Sequence, residues 1–451
     1  MSVTPKITTF FDDCDDQDED GVTCPIMDYK IIPTSESSIA IIDKAVEAAL
    51  SIDEGARERK RKAEDVTKVK HCMKMILSNL IIESFESGAE AAVRISRRNG
   101  DKRASRYRPQ WFTINISNVA TAILMLPSIA LITLTKGMKA PDGGKGIQSI
   151  LKPAARLLRL AQSLSLDDFS YSPDVETIIY KTKVKTSRNL EGKKPKGTYT
   201  EYDDTEYTHD CRKQMVAINE YLRGADISFK GKPLPLQDRQ LRRYFSEEWN
   251  RGGRLFGTKW QSDSKLERRH YRINGKPCVE VDFKACNLFL AYARKGLSLP
   301  DFIDGDAYEL GWKGLRFERA GLKKVMLAML CSDKPLIRFP NNTKKALGAG
   351  KSARLNDVTI PLSDKHKAIA DLFYSDTGMK LQHTESEIIV ATLLELKAIG
   401  VTALPIHDCV VVAEDDQAIA REVMLKQFFE FSGQHGAVDV TPLKKHETAF
   451  L

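Results

Sequence analysis

Two aspartates are the first candidates for chemistry in this 451-residue chain. Asp408 follows His407 inside "ALPIHDCVVVAEDD", residues 403–416, where the pair interrupts an apolar β-like run. Asp282 lies in "CVEVDFKA", where Val279, Val281 and Phe283 alternate with Glu280, Asp282 and Lys284. That alternation places Asp282 on the polar face of a strand. Two such carboxylates on neighbouring strands could hold two divalent ions about 3.5–4 Å apart, bracketing the attacking and leaving oxygens of a phosphoryl transfer. Oxygen ligands select hard cations, so Mg²⁺ is the expected ion, with Mn²⁺ an accepted substitute. Between them in the chain, Arg319 and Lys323 stand four residues apart on the polar side of a helix, with Lys324 beside them. Each piece also has a plain reading: a turn aspartate, and a solvated lysine opposite an apolar stripe.

The elements that must carry these residues can be sketched from pattern. "HYRINGKPCVEV" holds Asn274-Gly275 between β-like runs, the mark of a two-residue hairpin. "ACNLFLAYARKG" reads as a helix ending at Gly296. In "ERAGLKKVMLAMLCSD", Leu322, Val325, Met326, Met329 and Leu330 line one helical face. Thr384 and Glu387 form a capping box ahead of "IIVATLLELKAIG", a helix that stops at Gly400. "VTALPIHDCVVV" then gives two β arms with His407-Asp408 at the bend. "GAGKSA", 348–353, lacks the spacing of a phosphate loop and follows no β-run.

The composition is that of an ordinary globular chain, 42% apolar and 29% charged, and 69 Lys+Arg against 61 Asp+Glu permits a polyanionic partner without requiring one. The eight cysteines form no CxxC pair, which argues against a zinc ribbon and for a reducing, intracellular compartment. The N-terminus has no secretory signal pattern. Residues 1–60 read as an acidic tail, and Asp16-x-Asp18-x-Asp20-Gly21 starts like a calcium loop but has Met27 where the bidentate glutamate is needed. "TPKITTFF" resembles the peptide that docks on sliding clamps, through Ile7, Phe10 and Phe11, with Thr4 in place of the usual glutamine. Residues 57–108 are strongly basic, and 183–207 reads as a linker or flexible loop. Residues 111–135 carry no charge. A membrane span is conceivable by length, but Asn115, Asn118 and the central Pro127 fit two short buried helices as well.

The order of the motifs resembles the polymerase module of family A DNA polymerases, and more loosely the single-subunit phage-type RNA polymerases, over residues 245–416. The nearest likeness is to family A-like polymerases of plasmids, prophages and other mobile elements. "GGRLFG", 252–257, is similar to a Gly-Arg element whose arginine lies along the primer–template duplex, here Arg254. "VDFKACNLFLAYA" is similar to motif A with its metal-binding aspartate, Asp282. "RAGLKKVMLAML" is similar to motif B, with Arg319 and Lys323 on the incoming triphosphate. "LQHTESEI" resembles the element whose glutamine, Gln382, touches template and primer. "PIHDCVVV" resembles motif C, with Asp408 the second metal-binding aspartate and His407 at the primer 3′ end.

The resemblance implies an α+β chain with a right-hand polymerase fold. A small antiparallel palm sheet and helical fingers at about 305–380 would occupy 241–451, after a mostly helical, thumb-like region at 61–240. It implies a DNA polymerase that binds primer–template DNA and nucleoside triphosphates, with Lys323 as proton donor and Lys324 near the substrate. Departures from the family pattern are Leu327 and Cys331 where large or aromatic residues are usual, Cys409 after Asp408 in place of a frequent glutamate, and Asn287 where DNA polymerases carry a glutamate against the ribose 2′-OH. Rival classes that use two aspartates are a nuclease or transposase, and an inactive nucleic-acid-binding relic. A primase-like RNA polymerase is a further alternative.

Overall fold

In the computed structural model the described residues are 27, 31–95, 105–107, 122, 125–137, 149–171, 175–182, 197–299, 305–310, 317–348 and 353–443. The clamp-like peptide with Ile7, Phe10 and Phe11 lies outside them, as do 111–121 and 123–124 of the uncharged segment and 183–196. The chain divides into two units: residues 1–176 with 232–240 and 257–262, and residues 177–231 with 241–256 and 263–451.

The first unit is mixed rather than mostly helical. Strand β1 (Ile31–Pro33) precedes helices α1 (Glu36–Gly55) and α2 (Ala63–Ser87); β2 (Val93–Ile95), β3 (Ile132–Thr135), β4 (Ser149–Pro153), α3 (Ala155–Ala161) and β5 (Phe169–Tyr171) follow. β4 is the middle strand between β2 and β3, and β1 pairs with β5, all antiparallel. Residues 36–55, expected in a tail, are thus a capped and packed helix. Ser35 accepts the Ser38 N–H at 3.1 Å, as an N-cap does, and Ser38 Oγ donates to the Asp168 carbonyl at 2.8 Å. Ile42, Val46 and Ala49 on α1 join Met73, Ile76 and Leu80 of α2 in one apolar core. Pro127 sits in the first turn of a short 3₁₀ segment, Leu126–Ile129, just before β3. No described helix is long and apolar enough to cross a membrane.

The second unit begins at 177, so part of the presumed N-terminal region belongs to it. Its elements are β6 (Ile178–Thr182), β7 (Thr198–Tyr199), α4 (Glu206–Gly224), β8 (Ile227–Phe229), β9 (Arg242–Ser246), β10 (Glu248–Phe256), β11 (Tyr271–Ile273), β12 (Lys276–Phe283), α5 (Cys286–Ala293), α6 (Arg319–Cys331), α7 (Asn356–Lys365), α8 (Gly378–Ala398), β13 (Ala403–Ile406), β14 (Cys409–Ala413), α9 (Gln417–Ser432) and β15 (Val438–Pro442). The first of its two sheets runs β10-β9-β6-β7, with β9 and β6 parallel and the other pairs antiparallel. The parallel pair is what ties 177–182 to the residues beyond 241.

The other sheet is antiparallel, with β12 between β14 and β15, β13 outside β14, and β11 and β8 continuing from β12. Asn274 and Gly275 both have left-handed backbones, φ 52° and 72°, as the expected hairpin requires. Val279, Val281 and Phe283 are buried, and the Phe283 ring packs 5.3 Å from that of Phe428 on α9. The alternation read from the sequence therefore sets the face, and the apolar side holds the sheet against α9. One boundary differs. α8 starts at Gly378, so Thr384 lies inside the helix and its hydroxyl donates to the Lys380 carbonyl at 3.3 Å instead of capping.

Candidate active site

Asp282 is the penultimate residue of β12 and Asp408 lies in the two-residue turn between β13 and β14. Pairing of β12 with β14 sets Asp282 opposite Cys409, and the Phe283 N–H donates to the Asp408 carbonyl at 3.2 Å. The long β14, Cys409–Ala413, is buried at every residue and fixes the turn from one side. His407 takes a left-handed backbone, φ 56°, which reverses the chain in two residues.

The two carboxylates feel each other. Asp282 is pushed up to about 7, first by partial desolvation and then by Asp408, while Lys323 pulls it down. Its side chain is nevertheless exposed, so that desolvation is partial. Neither aspartate has a salt bridge among the described residues. Two residues earlier on the same face, Glu280 is buried and paired with Lys265 at 2.8 Å and Arg268 at 2.9 Å.

A third acid lies here that the sequence did not announce. Cys286 Sγ, a Glu385 oxygen and an Asp408 oxygen all lie within 4.8 Å of one another. Glu385 is buried on α8, where desolvation raises it against the opposing pull of Arg254. Arg254 grips both of its oxygens, Nε at 2.6 Å and Nη2 at 2.8 Å. Arg254, expected along a duplex, is therefore turned inward, with 15% of its side chain exposed. The cause is local. Gly253 forms a bulge between β9 and β10 with φ 78°, and a Cβ there would meet Ser386 Oγ at 2.5 Å. The missing side chain lets α8 close on β10, and Arg254 reaches Glu385.

The remaining candidates divide. Asn287, on the first turn of α5, Gln382, one turn before Glu385, and His407 each have a buried polar atom (Oδ1, Oε1 and Nδ1) without a hydrogen-bond partner among the described residues. An unsatisfied buried group costs about 1–3 kcal/mol, and these three lie around one turn and two helix faces. His407 is driven down to about 4 by desolvation and then by Arg254, so its ring is neutral near pH 7, edge-on to Phe256 at 5.3 Å. Lys323 on α6 is exposed, and its charge acts on both Asp282 and Glu385. Arg319, four residues earlier, is held by Asp306 and lies 5.2 Å over the Tyr308 ring. Lys324 is half-buried on the same helix. Asp439 was also missed: it sits opposite Asp282 on β15, paired with Lys284 at 2.7 Å. Its only sequence signal is the alternation of "VDVTP".

The donor set fits a hard divalent cation. Burial raises the Cys286 thiol well above its ordinary value, a soft donor that a hard cation does not favour, and both Glu385 oxygens are engaged by Arg254. What remains is the carboxylate pair Asp282 and Asp408, whose mutual repulsion a divalent ion would relieve.

No family model matches the chain, and no curated protein matches it. Among solved structures, one similar chain is the POL domain of Pol1 from M. smegmatis in complex with DNA primer-template and dNTP, at 10% identity and a TM-score of 0.25. The likeness covers 52% of this chain and 51% of that one, so the match spans about half of each. It is a distant likeness to a DNA polymerase domain, and at that score no residue assignment follows from it.

Proposed function

We propose that the second unit is a template-directed nucleotidyltransferase that extends a DNA primer with deoxynucleotides. The observation that carries this reading is the pairing of β12 with β14, which sets Asp282 opposite Cys409 and so next to the Asp408 turn, both aspartates without a salt bridge among the described residues, with the Lys323 charge acting on Asp282. Two Mg²⁺ ions held by these carboxylates would activate the primer hydroxyl and stabilise charge on the phosphoryl oxygens. Asp282 and Asp408 fix the position of that chemistry because both sit on strand-anchored backbone. Lys323 and Arg319 meet the triphosphate, and Lys323 gives a proton to the departing pyrophosphate. Neutral His407 offers Nδ1 to the primer end, Gln382 meets the template or primer, and Asn287 lies against the sugar. In this reading the sheet of β12, β14 and β15 is the palm and α6 belongs to the fingers.

The test is primer extension with Mg²⁺, comparing dNTPs with NTPs, with Asp408→Asn as control. Incorporation by the wild type and none by the variant is the expected result. Strand cutting without incorporation would assign the carboxylates to a nuclease instead, and no turnover of any kind would leave a binding relic.

A further inference from the structure

A second feature of the same unit plays no part in that chemistry. Between α6 and α7 the chain forms a cavity of about 510 Å³, within the range of ligand pockets, about 300–1,000 Å³. Arg338, Lys344, Lys345 and Arg354 line it, together with Phe339 and Ile337, and among the described residues no carboxylate is in its wall. None of the four cations has a salt bridge among the described residues. Cations elsewhere in the unit commonly do: Lys276 pairs with Asp415, Lys295 with Asp371 and Lys426 with Glu395. Four like charges around one hollow repel each other, and only an anion offsets that. The apolar part has a consistent character. Ile337 is 95% exposed, and Lys344 lies 5.4 Å over the half-buried Phe339 ring, leaving an aromatic beside the charges.

Positive charge with an aromatic platform and an exposed aliphatic tip matches one ligand chemistry: phosphodiesters alternating with flat bases that are free to stack. We infer that this cavity binds a single strand of nucleic acid, with phosphates on Arg338, Lys344, Lys345 and Arg354 and a base against Phe339. A duplex hides its base faces, and an acidic peptide has no stacking requirement. The site is built onto α6. The Glu318 N–H donates to the Leu347 carbonyl at 2.9 Å, and a Cβ on Gly321 would meet Leu347 N at 2.5 Å. The cavity wall therefore packs directly on the first turn of the helix that carries Arg319 and Lys323.

The experiment measures binding of a short fluorescein-labelled oligothymidylate by anisotropy, without Mg²⁺ or nucleotides, over a salt series. The protein is the full chain, wild type or Asp408→Asn. Binding thus does not depend on catalysis, and a failure of one reading is distinguishable from a failure of the other. Replacing the four cations by alanine is expected to weaken binding at least tenfold and to flatten the log–log salt slope by about 2–3, as loss of four single-strand phosphate contacts dictates. Phe339→Ala is expected to weaken binding several-fold at unchanged salt slope. If the fourfold variant does not fold, Lys344→Gln with Lys345→Gln carries the charge arm. Unchanged affinity and slope would overturn the inference. So would an equal loss for polyglutamate, which marks an acidic-peptide site, or an equal loss for a blunt duplex, which marks a duplex-binding face.

Discussion

Glu280 and Asp282 share one face of one strand, two residues apart, and are treated in opposite ways. Glu280 is buried and neutralised by Lys265 and Arg268, so that end of the sheet is electrostatically complete. At Asp282 the compensation stops: desolvation and the neighbouring Asp408 carboxylate raise it, against the pull of Lys323. The same contrast recurs across the turn, where Glu385 is satisfied by Arg254 while Asp408 beside it has no salt bridge among the described residues. Uncompensated charge is costly to keep, and the proposed function assigns the chemistry to the unpaired carboxylates of this cluster.

The comparison can be broken by exchanging the roles. Asp282→Asn or Asp408→Asn is expected to lower primer extension by at least about 10³-fold, since several kcal/mol of transition-state stabilisation is removed, with a melting transition no lower than the wild type's. Glu385→Ala does the reverse. It leaves the Arg254 guanidinium buried without a partner and is expected to cost about 3–5 kcal/mol of stability in a urea titration, whereas Arg254→Met with Glu385→Leu recovers most of it. If Arg254→Ala instead weakens duplex binding and leaves stability untouched, the inward pair is not what holds that arginine.

The pH dependence sharpens the contrast. Asp282 is held near 7 in the folded chain against about 3.9 unfolded, so in metal-free protein the folded state binds the extra proton between these values. Stability then falls as pH rises through about 4 to about 7 and levels off above. Asp282→Asn should remove that contribution to the slope, as read from urea midpoints across the window. Mg²⁺ requires the ionised carboxylates, so its affinity should climb as pH passes about 7. The smallest expected effect is at Asn287. Its Oδ1 has no partner, and Asn287→Gly should raise NTP use relative to dNTP by about tenfold, measured as a kcat/KM ratio.

What was legible in the sequence was local. The alternation around Asp282, the Asn274-Gly275 turn and the β arms around His407-Asp408 follow from side-chain period and turn chemistry within a few residues. Local signals also misled. Thr384 and Glu387 imitate a helix start, yet α8 already runs from Gly378, and Glu387 instead accepts from Tyr207 at 2.9 Å and pairs with buried Arg243 at 2.7 Å. Residues 36–55 read as tail because their order depends on Asp168 and on α2, partners that no local window contains.

The sequence by itself determined which residues are chemically able, and on which face of a strand or helix each lies, because those properties are set by residue type and a fixed geometric period. Only the tertiary structure decided which of them are spent on one another. Arg254 and Glu385 are 131 residues apart, and Asp408 reaches Asp282 through strand register. A charge is available for chemistry only if nothing distant in the chain has neutralised it, and that is a property of the packed whole.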